Sequence, residues 1–119
     1  MRAPRDIATD YLAVWNEASA PVRRRLLETW HPDTRYRDPL MAADGREAVA
    51  AMIESARERF PDLAFRLHGT PDGHGPFVRF SWTLGPADGP SVAAGTDVVR
   101  LDATGRIAEV IGFLDEVRS

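Results

Sequence analysis

Apolar residues at Ile7, Tyr11, Val14, Trp15 and Ala18 recur at helical spacing and predict a first helix with one buried face. A second helix is expected to open at Pro21, whose fixed φ suits a first turn, and to bury Val22, Leu26, Leu27 and Trp30. His31-Pro32-Asp33 ends it, because the residue before a proline avoids the helical region. A short extended stretch, Thr34 to Asp38, then runs into Pro39. Asp44 and Glu47 stand at capping-box spacing ahead of a third helix that carries Val49, Met52, Ile53, Ala56 and Phe60 on one stripe. Pro61 stops it.

The second half changes period. Leu63, Phe65 and Leu67 alternate with Ala64, Arg66 and His68, and Val78, Phe80, Trp82 and Leu84 alternate with Arg79, Ser81 and Thr83. The Gly- and Pro-rich segments Gly69 to Pro76 and Gly85 to Pro90 read as connections. A strand from Val92 to Leu101, a turn at Asp102-Ala103-Thr104-Gly105 and a last strand from Ile107 to Leu114 complete the chain. The last strand is apolar on both faces, which predicts a central strand covered on both sides. Helices first, with one short strand among them, and long strands afterwards argue for an α+β fold. Three N-terminal helices packed on a strongly curved, mainly antiparallel sheet would form a cone enclosing a pocket, one domain spanning residues 1–119.

Composition removes chemistry from that pocket. Hydrophobic residues at 44% and charged residues at 28% fit a folded globular chain. The net charge of -3, with both signs mixed, gives no reason to expect nucleic acid or an anionic membrane as partner. The one basic run, Arg23-Arg24-Arg25, reads as a solvated helix face. With no cysteine there is no thiolate nucleophile or disulfide, and with no lysine there is no Schiff base. His31, His68 and His74 show no metal-ligand spacing, so neither metal nor cofactor is expected. The opening Met1-Arg2-Ala3-Pro4-Arg5-Asp6 leads into no uninterrupted apolar stretch, so no signal peptide or anchor is expected and the cytoplasm is the default location.

Carboxylates and aromatics remain. Trp15, Trp30, Phe65, Phe80 and Trp82 take inward positions, as core or as pocket wall. Asp38, in Tyr36-Arg37-Asp38-Pro39, is either a turn starter or a pocket carboxylate. Asp97 shares strand parity with Val99 and Leu101, which aims it inward unless the parity is reversed. A carboxylate on that side is costly unless paired, hydrogen-bonded or protonated.

Several stretches together resemble the nuclear transport factor 2-like (NTF2-like) superfamily, in its SnoaL-like and ketosteroid-isomerase-like bacterial branch. They are Tyr11-x3-Trp15, Tyr36-x-Asp38-Pro39, Asp44-Gly45-Arg46-Glu47, Gly95-x-Asp97-Val98-Val99-Arg100-Leu101-Asp102, Gly105-Arg106-Ile107 and Gly112-Phe113-x-Asp115. The resemblance implies Asp38 as general base, with Tyr11 and a protonated Asp97 donating hydrogen bonds to an enolate oxygen. Asp115 stands where some SnoaL-like cyclases place an acid/base aspartate. The substrate-binding wall is expected from Trp15, Trp30, Tyr36, Met52, Phe60, Phe65, Phe80, Trp82, Val99 and Asp115. The function implied is isomerisation or polyketide-type cyclisation of a small apolar carbonyl compound. A non-catalytic ligand binder, and an epoxide-type hydrolase using Asp115, remain open beside it. The resemblance also implies a homodimer through the outer sheet face carrying Arg66, His68, Arg79 and Val98.

Overall fold

Residues 2–117 are described by a computed structural model; Met1, Arg118 and Ser119, which the expected domain and N-terminal readings include, lie outside the described residues. Helix α1 (Pro4–Asn16) opens with proline in its first turn, where a missing N–H leaves no bond unmade, and buries Ile7, Ala8, Tyr11, Leu12, Val14 and Trp15. It stops before Ala18, which is exposed. Asn16 instead turns its amide to the sheet, donating to the Phe65 carbonyl (2.9 Å) and accepting from the Phe65 N–H (2.8 Å). No basic residue lies in the last turn of α1, so its terminal carbonyls are served from elsewhere. Arg57 donates to the Trp15 carbonyl at 2.7 Å, and Arg23 donates to that of Glu17. Arg23 is therefore buried, correcting the expectation of a fully solvated basic face.

Helix α2 (Ala20–Leu27) is capped by Ser19, whose Oγ accepts from the Val22 N–H. It buries Leu27, with Trp30 buried just beyond it, while Leu26 is exposed. The buried stripe is narrower than expected. Strands β1 (Arg35–Arg37) and β2 (Ala42–Asp44) form a short antiparallel hairpin. The expected capping box is absent: helix α3 (Arg46–Arg59) starts from Gly45 at φ 91 with no side-chain cap. Asp44 sits on β2 and is taken by Arg37 (2.9 Å) and Arg35 (3.5 Å), while Glu47 pairs with Arg24.

Four longer strands follow, β3 (Leu63–His74), β4 (Phe77–Pro86), β5 (Ala93–Leu101) and β6 (Ile107–Val117). The sheet order is β2-β1-β6-β5-β4-β3, antiparallel except where β1 runs parallel to β6. Most of the expected connection Gly69 to Pro76 belongs to β3, which resumes pairing at Asp72 after an irregularity beyond His68. β6 departs from expectation in another way. Its inner face buries Val110 completely, but Ile111 and Phe113 on the outer face are 40% and 54% exposed. No described element covers that side. No described helix is long and apolar enough to cross a membrane.

Candidate active site

A cavity of about 430 Å³ opens between α1, the β1–β2 turn, the end of α3 and the inner face of β3 to β6. Its walls are Tyr11, Trp15, Tyr36, Phe65 and Trp82, and its rim is Leu40, Phe60, Leu63, Val92, Leu114 and Val117. Asp38 and Asp97 are the only charged side chains among the described lining residues.

The turn after β1 aims Asp38. Its Oδ1 accepts from the backbone N–H groups of Leu40 and Met41, both at 2.7 Å, and its Oδ2 accepts from the Tyr36 hydroxyl at 2.6 Å. Turn starter and pocket carboxylate are thus the same residue: the turn is what holds the carboxylate against the cavity.

Asp97 has the opposite surroundings. It is 3% exposed on β5, and the Trp82 indole N–H donates to its Oδ1 at 3.2 Å. Loss of water is the main cause that pushes its carboxyl up to about 6. Contacts with Tyr11 and Trp82 pull the other way, and the charges of Asp38 and Asp115 add to the rise.

Two glycines make room for it. Gly112 faces Asp97 across the β5–β6 ladder, and a Cβ there would stand 2.8 Å from Asp97 Oδ1 and 3.2 Å from Asp38 Cβ. Gly95 faces Trp82 across the β4–β5 ladder, and a Cβ there would stand 2.7 Å from Cε2 of the indole. One missing side chain lets the carboxylates approach, and the other lets the indole lie across the sheet. Neither role is visible in an alternation pattern.

Tyr11 stacks on Trp30 (centroids 5.7 Å apart, planes 11° apart) and packs against Phe80 at 5.1 Å. Its buried hydroxyl has no partner at hydrogen-bond geometry; Asp97 acts on it through a looser contact and through charge. Burial first, then the Asp97 charge, holds both the Tyr11 and the Tyr36 phenols well above their usual range, so both stay protonated donors.

The profile of the SnoaL-like domain family matches residues 8–110. The chain belongs to the SnoaL-like family. A candidate isomerase of that family from Agrobacterium tumefaciens is 55% identical, with 93% of this chain and 96% of that one covered at a TM-score of 0.91. Two more distant structures show the same fold. A SnoaL-like protein of unknown function from Burkholderia thailandensis is 15% identical, covering 95% of each chain at a TM-score of 0.75. A candidate SnoaL-like polyketide cyclase from Jannaschia is 22% identical, covering 97% of this chain and 90% of that one at a TM-score of 0.71. No curated protein matches the chain.

Within this SnoaL-like cone, Tyr11, Asp38 and Asp97 converge, and Trp15, Tyr36, Phe60, Phe65 and Trp82 line the cavity. Five expected wall residues lie elsewhere. Trp30 and Phe80 sit behind Tyr11 as core, Val99 is fully buried, and Met52 packs half-buried against the core. Asp115 is exposed on the outer face, where its Oδ2 accepts from the Thr96 hydroxyl at 2.7 Å. Its parity is opposite to that of the cavity-lining Leu114, which removes it as the partner carboxylate of a hydrolase. Leu40 at the rim escapes periodicity because it stands in the turn between β1 and β2, whereas Leu63 and Val92 fall in or beside strands whose pattern does not mark them as rim. Among the described residues no three His, Asp or Glu side chains gather as a metal site.

Proposed function

We propose that this protein is a cofactor-independent acid/base enzyme acting on a small apolar carbonyl compound, by double-bond isomerisation or aldol-type cyclisation. The observation that carries the reading is a pair of carboxylates in contrasting surroundings on the floor of an apolar cavity. Asp38, oriented by three donors, takes a proton from the carbon next to the carbonyl. Tyr11, whose hydroxyl makes only a loose contact with Asp97, and the protonated form of Asp97 donate to the enolate oxygen. Asp38 then returns the proton to another carbon of the same molecule. The enolate's own charge favours the protonated form of Asp97, so arrival at the intermediate strengthens the donor it needs. Likeness to the Agrobacterium candidate isomerase supports the same reading.

Homodimerisation belongs to this proposal. The outer sheet face, with Ile111 and Phe113 exposed beside the half-buried Val98, offers an apolar patch that a second copy would cover.

The direct test follows the ultraviolet absorbance of a cyclic β,γ-unsaturated ketone as it becomes the conjugated enone. Wild type should turn it over, and Asp38→Asn should lower the rate about 100-fold or more. Equal rates in the two proteins, or no turnover by either, would overturn the isomerase reading.

A further inference from the structure

The cavity's charge is one-sided. Asp38 and Asp97 both face it, no arginine or histidine is among its described lining residues, and the chain has no lysine. Nearby cations are committed away from the floor: Arg37 bonds Asp44 and backbone carbonyls, and Arg57 bonds the Trp15 carbonyl. Asp97 is almost fully buried with one neutral N–H as its only donor at good geometry. A buried carboxylate in that position is under-compensated, and a cation is what would compensate it. A second feature lies at the same spot. The Tyr11 hydroxyl is buried and lines the cavity, its contact with Asp97 falls short of hydrogen-bond geometry, and it has an acceptor lone pair to offer. The aromatic side chains of Trp15, Trp82, Tyr36 and Phe65 complete the walls, a surface suited to the hydrocarbon body of a ligand.

We propose that this cavity binds small apolar amines in their protonated form, with the ammonium group on the Asp38–Asp97 floor and its hydrocarbon body against the aromatic walls. An ammonium N–H donates to Asp97, to Asp38 and to the Tyr11 oxygen, while a carboxylate of the same shape meets only repulsion. The inference rests on the cavity being the ligand site of the proposed enzyme, not on enolate chemistry.

The test uses three rigid isosteres, 1-adamantylamine, 1-adamantanol and 1-adamantanecarboxylate, titrated at pH 8 against the fluorescence of the cavity tryptophans. The amine should bind at least about tenfold tighter than the alcohol, a difference of about 1.4 kcal/mol, and the carboxylate weakest. Asp97→Asn should erase the amine's advantage over the alcohol, and Asp38→Asn should reduce that advantage in the same sense. Alcohol binding equal to or tighter than amine binding would overturn the proposal while leaving the cavity as a ligand site. So would an amine advantage that survives both substitutions. Failure of all three probes to bind would overturn the ligand site itself, and this inference with it.

Discussion

Replacing Asp97 by Asn should make the protein more stable at pH 8 while impairing its site. Asp97 is 3% exposed, and its folded-state carboxyl titrates at about 6 against an ordinary 3.8. The folded state thus holds this proton more tightly than the unfolded chain does. Below the unfolded value both states are protonated and the residue carries no charge penalty. As pH rises from there to about 6 the unfolded chain ionises first, and the native state loses stability relative to it. Above about 6 the full penalty applies, about 3 kcal/mol for a shift of this size. Asparagine resembles the protonated acid in shape and keeps an oxygen for the Trp82 N–H, but adds an amide donor that needs a partner. The net gain at pH 8 is therefore about 1–3 kcal/mol, or roughly 4–12 °C in Tm for a chain of this length. Urea unfolding of both proteins at pH 4.5 and pH 8 is the assay, with the difference in unfolding free energy read at each pH. The gain should be present at pH 8 and shrink markedly at pH 4.5. A variant no more stable than wild type at pH 8, or a pH-independent difference, would refute the claim that Asp97 is a desolvated carboxylate.

The ketone's kcat/KM should fall as pH rises through about 6, because Asp97 of the free protein there loses the proton it donates to the enolate, and a pH profile of kcat/KM checks this. Gly112→Ala places a methyl against Asp97 Oδ1 and Asp38, so it should cost about 1–3 kcal/mol in urea unfolding and abolish probe binding. Tyr36→Phe removes the 2.6 Å donor to Asp38 and should cost about 1–2 kcal/mol in the same assay, with a lower kcat. Asp115→Asn, on the outer face, should leave kcat within about twofold of wild type. Phe113→Glu should convert the proposed dimer to monomer, as measured by light scattering after size exclusion.

Periodicity reads faces well and depth poorly, and the site divides along that line. Alternation on β5 correctly turned Asp97 inward with Val99, because a strand offers only two sides. The same alternation on β4 could not separate Trp82, which reaches the cavity, from Phe80, which stops behind Tyr11. Both face inward, and only the position of α1 decides which one meets open space. The short strand β2 is not legible in the sequence because Ala42-Ala43-Asp44 has neither length nor alternation. Asp44 and Glu47 had the spacing of a capping box, yet arginines on β1 and α2 took both carboxylates, a tertiary choice that local spacing does not contain. The apolar outer face of β6 was legible as apolar, but not as uncovered, since nothing in a strand's own pattern states what packs against it.

The glycines beside Asp97 connect these observations to function. A strand interior loses stability at glycine, and a core loses it at a buried carboxylate. β5 and β6 accept both losses at one point, with Gly95 clearing space for the indole and Gly112 clearing space for Asp38. A residue placed only for packing would be served by an apolar side chain filling those volumes. Together the features hold the two carboxylates in a fixed relation, one accepting hydrogen bonds from its own turn and the other kept dry under an indole. Gly112 is where that relation is most exposed to test. Its methyl substitution leaves every polar group in place, so lost function there would come from the spacing of Asp38 and Asp97, and not from removing either.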